Sequence, residues 1–316
     1  MSHTEAQKEK QSAALSSVVA AIGLTTFKII VGVLTNSLGI LAEAAHSALD
    51  LAAAAMTFFA VRVSDRPADR EHPFGHGKIE NVSALFETLL LLATSGWIIY
   101  EASQRLAAEN VEVEVSIWSF IVMGTSIVID ATRSRILLRA AKKHNSQALE
   151  ADALHFSTDI WSSSVVILGL AGVLAARAFP ALAFLEKADA VAALVVAVIV
   201  IYVSGELGMR SIQALLDAAP KNGEADKIIE TVNALKEVQD VHAVRIRSAG
   251  AGWFVDMHVT MDGNLSLEES HRVTEKIETV VAGILPKSDV TVHVEPINVN
   301  HEQGTKTGGK TKPRQD

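Results

Sequence analysis

Apolar residues in this chain come in six blocks, each near the ~20 residues that a helix needs to cross a bilayer. They run over 13–34, 38–61, 79–100, 115–138, 148–176 and 188–209. Hydrocarbon offers no partner for a backbone N–H or C=O, so each block has to satisfy its own hydrogen bonds, which means a helix. The pattern predicts an all-α transmembrane domain over 13–215. Composition agrees: 49% of residues are hydrophobic and the mean hydropathy is +0.28. There are no cysteines, which excludes disulfides, zinc–thiolate fingers and a thiolate copper(I) site. A net charge of −8 argues against nucleic acid as a partner. Residues 1–12 are polar and lack a small-residue cleavage signature, so they read as a cytosolic tail rather than a signal peptide.

Lys and Arg in short loops set the orientation. Arg62, Arg66, Arg70 and Lys78 follow the second block, and Arg133, Arg135, Arg139, Lys142 and Lys143 end the fourth. The opposite connections are poor in base: 35–37 has none, and 102–114 sets Arg105 against Glu109, Glu112 and Glu114. The base-rich side faces the cytosol, and an even number of crossings of the inner (cytoplasmic) membrane puts both termini there. After Pro220 the periodicity changes. Helices are expected over 224–235 and 266–284, and strands over 241–247, 253–261 and 290–295. Ser266 with Glu269 has capping-box spacing. The order αββαβ predicts a cytosolic α+β domain over 220–298, with helices on one sheet face. Residues 299–316, rich in Gly, Lys and Thr, are expected to be disordered.

Two blocks carry one pattern: Glu43-x-x-His46-x-x-x-Asp50 and Asp152-x-x-His155-x-x-x-Asp159. Ionisable groups at membrane depth are expensive and rarely accidental. Residues four apart share a helix face. Two such faces together would bring two imidazoles and two carboxylates to one point, the donor set of a tetrahedral metal site. Plain polar pairing between helices is the bland alternative, and the identical spacing in both blocks weighs against it. Asp50 lies about 18 Å along its helix from Leu38. Asp159 comes out nearer the cytosol if its block ends at Ala176. Glu43 and Asp152 are candidates to orient the histidines or are helix-end charges, and Asp130 is expected to pair with Arg133.

The cytosolic loop holds Asp69-x-x-His72-x-x-x-His76. One carboxylate and two imidazoles could hold a metal with a water. Pro73, Gly75 and Gly77 read equally well as a turn. In the tail domain, alternation places His258, His293 and Glu295 on the sheet face opposite the apolar one. His242 starts the first strand and His271 sits on the second helix; ordinary solvated histidines are the alternative.

Together LAEAAHSALDL, DREHPFGHGKIE, LEADALHFSTDIWSS and the αββαβ tail resemble the cation diffusion facilitator family of zinc transporters, of the bacterial ferrous-iron/zinc efflux type. The similarity covers about residues 10–298. It implies a homodimer with six transmembrane helices and a ferredoxin-like cytosolic domain. It implies transport-site roles for His46, Asp50, His155 and Asp159, and a loop site at Asp69, His72 and His76. It implies a binuclear dimer-interface site at His242, His258, His271, His293 and Glu295, and a charge interlock of Lys78 with Asp217 between protomers. His46 stands where many bacterial relatives carry Asp, and Glu295 where Asp is common. The implied activity is export of Zn2+ in exchange for protons. Cd2+, Fe2+ and Co2+ also suit two imidazoles and two carboxylates. A membrane metal sensor and an intramembrane metalloenzyme are the rival readings. The enzyme would want an H-E-x-x-H helix, which the sequence lacks.

Overall fold

The computed structural model describes residues 3–107, 117–178, 188–220 and 223–297. The acidic stretch of Glu109, Glu112 and Glu114, and the tail from residue 298, lie outside the described residues. Contacts divide the chain into two compact units: Met1–Ala218 with the short Ser248–Gly252 stretch, and the remainder.

The first unit contains six long helices: α1 (His3–Thr35), α2 (Leu38–Ser64), α3 (Lys78–Ala107), α4 (Ile117–His144), α5 (Gln147–Ala178) and α6 (Ala188–Leu215). Four of them, α1, α2, α3 and α6, are long and apolar enough to cross a membrane. The other two are as long but carry ionisable residues in their middles, Asp130 and Arg133 in α4 and His155 and Asp159 in α5. Most of the stretch expected as a cytosolic tail is helical: α1 runs unbroken from His3. Lys10 is the reason. It is 3% exposed, and its ammonium lies 2.6 Å from Asp65 and 2.9 Å from Glu80. Ser64 and Ser146 also donate to Glu80, so α1, the end of α2, and the starts of α3 and α5 are gathered at one point.

Two tight helix–helix turns use the same dipeptide. Asn36 (φ 48°) and Asn145 (φ 51°) take the left-handed conformation that ends α1 and α4, which Asn tolerates better than most residues. Ser37 and Ser146 then cap α2 and α5 by accepting from the N–H of Ile40 and Leu149. Small residues bring the helices together. Ala13, Ala14, Ala54, Ala140, Ala148 and Ala153 pack around Leu137, Leu149 and Phe156. Ser134 of α4 donates to the Ala153 carbonyl of α5 at 2.9 Å. Where α6 crosses α3, a Cβ on Gly208 would stand 2.8 Å from Thr88 Cγ2.

The second unit is α7 (Glu224–Asn233), β1 (Asp240–Ala249), β2 (Gly252–Met261), α8 (Leu267–Ile284) and β3 (Ser288–Pro296), the expected αββαβ order. The sheet runs β1-β2-β3, and α8 crosses over to bring β3 parallel to β2. Val255, Met257, Val259 and Met261 point inward, onto Ile228 and Val232 of α7 and Val273, Ile277 and Val281 of α8. The Ser266–Glu269 capping box is present, each residue bonding the other's backbone N–H. The opposite face is left to the alternate, polar side chains of β2 and β3.

Candidate metal-binding sites

The two His/Asp pairs meet. His155 Nε2 lies 3.1 Å from Asp50 Oδ1 and 3.7 Å from Asp159 Oδ2. His46 Nε2 lies 3.8 Å from a carboxylate oxygen of each of Asp50 and Asp159. Metal–ligand bonds of about 2.0–2.2 Å in a tetrahedron put donor atoms about 3.3–3.6 Å apart. Asp50, His155 and Asp159 bring donor atoms within 4.8 Å of one another, and His46 stands at the edge of this group, 3.8 Å from each carboxylate. The depth mismatch expected from the block ends disappears. Asp50 is fourteen residues before the end of α2 at Ser64, and Asp159 twelve after the start of α5 at Gln147. Ser64 and Ser146 share Glu80, so those two helix ends are neighbours and α2 and α5 run antiparallel.

The surroundings differ from expectation. Glu43 pairs with Lys28 of α1 at 3.3 Å, and Asp152 accepts from Ser17 at 3.3 Å. Their hydrogen-bond partners are therefore on α1 rather than the histidines. His155 Nδ1 is buried without a partner. Asp130 does pair with Arg133, at 3.2 Å. The Arg133 guanidinium also stacks 3.4 Å from the ring centre of Phe156, next to His155, and donates to Ser17. A further carboxylate, Glu87 of α3, is wholly buried within electrostatic reach of Asp50, His155 and Asp159. Sequence reasoning passed over Glu87, although the same rule, an ionisable residue inside an apolar block, points to it.

In the loop, Asp69 lies 3.4 Å from both His72 Nδ1 and His76 Nε2, and the two rings are 4.4 Å apart. Asp69 Oδ1 also accepts the backbone N–H groups of Glu71 and His72 at 2.9 and 2.7 Å, closing a turn. The His72 N–H holds this carboxyl below its ordinary value, against burial and with help from the Glu71 N–H. Both sequence readings of the loop are thus geometrically satisfied at once.

On the tail sheet, Glu295 joins two histidines: His258 Nδ1 at 2.8 Å and His242 Nε2 at 3.3 Å. His293 lies opposite His258 in the parallel register and 3.8 Å from Glu295. Burial pushes the Glu295 carboxyl up, but the hydrogen bond from His258 and the charges of His242, His258 and His293 outweigh it and hold the carboxyl below its usual range. Asp240 backs His242 at 3.0 Å, a carboxylate behind an imidazole as metal ligands often have. Two residues apart on one strand, Asp240 and His242 share a face, a signal the sequence does contain. The structure does not bring His271 to this group; its ring sits on α8, 3.6 Å from Glu275. Lys78 and Asp217 pair at 2.9 Å within the chain, because Asp217 (φ 58°) turns the chain back just past α6, beside the start of α3.

Comparison with known proteins follows the same division. The family description "Cation efflux transmembrane domain" matches residues 14–216, and "Cation efflux protein, cytoplasmic domain" matches 220–297. Cation-efflux pump FieF of Yersinia enterocolitica is 32% identical over 291 residues, covering 92% of this chain and 93% of the pump. FieF of Serratia proteamaculans is 31% identical over 294 residues, with 92% and 93% covered. Among solved structures, the metal-bound C-terminal domain of the CzcD transporter from Thermotoga maritima is 33% identical, covering 26% of this chain and 99% of that domain, at a TM-score of 0.24.

Proposed function

The chain belongs to the cation diffusion facilitator family of cation-efflux transporters, and from that premise we propose that it exports Zn2+ from the cytosol in exchange for protons. It is a transporter of divalent metal, not an enzyme. The convergence of His46, Asp50, His155 and Asp159 inside the helical bundle carries the reading of the substrate. Zn2+ has no ligand-field preference and accepts a tetrahedral N₂O₂ set. Cd2+, Fe2+ and Co2+ are the competitors, and ligand type alone does not rank them. All six helices cross the membrane on this reading, with the polar faces of α4 and α5 turned into the bundle and both termini cytosolic.

Protons and metal compete for the same nitrogens and oxygens, because imidazole binds metal only when neutral and carboxylate only when ionised. Unperturbed imidazole titrates at about 6.5, within reach of a modest pH difference across a membrane. Loading from the cytosol releases protons, and protonation from the other side releases metal. The loop group Asp69, His72 and His76 would hand metal toward the bundle. The group of His242, His258, His293 and Glu295 would hold resident metal on a ferredoxin-like domain spanning about 220–298, and there steady a homodimer. His242, His258 and Glu295 offer donor atoms within 4.8 Å of one another and would supply imidazole and carboxylate ligands to such a metal. Lys78 with Asp217 would fasten α3 to α6 at the cytosolic membrane surface of each protomer.

Reconstitution into vesicles tests this. Zn2+ should accumulate against its gradient when the vesicle interior is acidic, and should alkalinise that interior as it enters. A folded protein that moves no metal removes the substrate reading. Metal flux indifferent to the pH difference removes the proton part.

A further inference from the structure

Glu87 sits in the middle of α3, and the metal-binding reading gives it nothing to do. Its side chain is fully buried. One carboxyl oxygen accepts from the hydroxyl of Thr57 on α2 at 2.8 Å; the other is buried with no partner. Thr57 follows Asp50 by seven residues, and Asp152 precedes Asp159 by seven. Seven residues are two helical turns, about 10 Å. Because α2 and α5 are antiparallel, Thr57 and Asp152 mark a second tier, on the side of the quartet where α2 ends at Ser64 and α5 begins at Gln147. Glu87 and Asp152 are within electrostatic reach of each other. Asp152 too is fully buried with one oxygen unpartnered.

The charges packed around this tier are already committed. Lys28 of α1 pairs with Glu43, and Lys10 with Asp65 and Glu80. Arg133 of α4 pairs with Asp130, and it meets Asp152 through Ser17 and through charge. From α2 and α5 the groups that face Glu87 are Asp50, Asp152, His155 and Asp159. Where α6 crosses beside it, at Gly208 against Thr88, Glu206 lies on the exposed face and Arg210 pairs with Glu150. Among the described residues no cation stands within ion-pair distance of Glu87. An ionised carboxylate buried on those terms costs far more than the neutral acid does.

We propose that Glu87 is a proton-binding site separate from the metal ligands, one tier to the cytosolic side of the quartet, through which protons pass between the quartet and the cytosol. The inference rests on the proton-exchange reading above. The step balances simply. Glu87 gives its proton to cytosolic water, and the proton displaced from an imidazole nitrogen as metal binds replaces it, leaving Glu87 neutral again. Ionisable residues at membrane depth serve as such relays in pumps and transporters.

Full-length wild type, Glu87→Gln and Glu87→Asp in proteoliposomes decide it, with zinc flux and proton flux recorded over a series of pH values and zinc affinity measured in detergent. Gln has the shape of the neutral acid and can still accept from Thr57, so a purely structural role leaves its pH profile unchanged. The proposal expects Glu87→Gln to keep the zinc affinity, to slow zinc-driven proton release by at least about tenfold, and to flatten the pH dependence of transport. Glu87→Asp should restore part of both. A Gln variant matching a proton-coupled wild type overturns this inference alone, whereas a wild type that moves zinc without protons overturns the exchange reading and this one with it. If the Gln variant does not fold, the Asp variant decides, because a withdrawn carboxyl has to change the release rate at constant affinity. An unchanged rate there also overturns the proposal.

Discussion

The bundle quartet and the tail-sheet cluster use the same donors, imidazole nitrogen and carboxylate oxygen, in opposite settings. Side-chain exposure in the bundle is 4% at His155, 11% at Asp50, 17% at Asp159 and 40% at His46, against 33% at His258 and 64% at His293 on the sheet. In the bundle the ligands come from two helices; Asp50 and His155 are buried, Asp159 is half-buried, and His46 is the most open of the four. On the sheet they come from three adjacent strands and face outward. A buried charged group without its partner is expensive, so the bundle site favours being filled, by metal or by protons. An exposed group is solvated either way, so the sheet cluster tolerates being empty. On the proposed reading, burial thus separates a site whose occupancy alternates from one whose occupancy is optional.

The largest effect expected of that difference is at Asp159. Asp159→Ala should lower zinc transport by more than about 100-fold, beyond what loss of a supporting group costs a metal site, while the protein stays folded. Wild-type flux in this variant, or in Asp50→Ala, would erase the distinction.

His258→Ala should do the reverse. Transport stays measurable, but zinc no longer raises thermal stability by the about 2.7 kcal/mol expected at a hundredfold excess over Kd. Metal-free wild type and variant should melt alike, apart from an acid effect. The carboxyl of Glu295 is lowered in the fold, so its contribution is complete above the ordinary carboxylate range and is lost as pH falls through the lowered value. Removing His258 should weaken this acid-side dependence. Melting curves in zinc and in chelator that shift equally in both proteins would assign the stabilisation elsewhere.

A smaller change tests what makes the bundle site selective. His46→Asp replaces a borderline nitrogen by a hard oxygen. Preference for zinc over manganese should narrow by about tenfold, or about 1.4 kcal/mol; identical competition curves would show that His46 does not set selectivity.

The smallest effect is expected at the surface. Lys78 and Asp217 are 36% and 42% exposed, so solvent screens them, and a double-mutant cycle should return a coupling of about 0.2–1 kcal/mol. Strict additivity, with no recovery on swapping the two charges, would show that the pair does not act as one.

Much of this arrangement can be read in the chain, for reasons particular residues make plain. His46 with Asp50 and His155 with Asp159 announce themselves because a helix turns an interval of four into a shared face. The sheet face of His258, His293 and Glu295 follows as directly from an interval of two. The repeated Asn-Ser at 36–37 and 145–146 was equally available as a turn signal. What spacing cannot supply is the partner across helices. Nothing local says that Lys10 reaches Asp65 and Glu80, or that Glu43 turns to Lys28 and Asp152 to Ser17. His271 shows the same limit. Its interval places it on a helix, but which side of that helix meets the sheet is settled by Val273, Ile277 and Val281. The reach of α1 was missed because a polar composition suggests solvent, whereas Lys10 is polar and buried by two carboxylates.

The crossing of α3 and α6 has a mechanical consequence. Gly208 and Thr88 are spaced by a side chain that is absent from one of them. Sliding α6 by a turn would set Ser204 or Ile212 opposite Thr88, each bringing atoms where there is no room for them. The two helices are therefore geared: they can swing together but not slip. Thr88 is the residue after Glu87, so any swing of α6 is delivered to the Glu87 carboxyl and to its single hydrogen bond with Thr57. That bond joins the geared pair to α2, so on the proposed reading a swing of α6 would also displace the group that passes the proton.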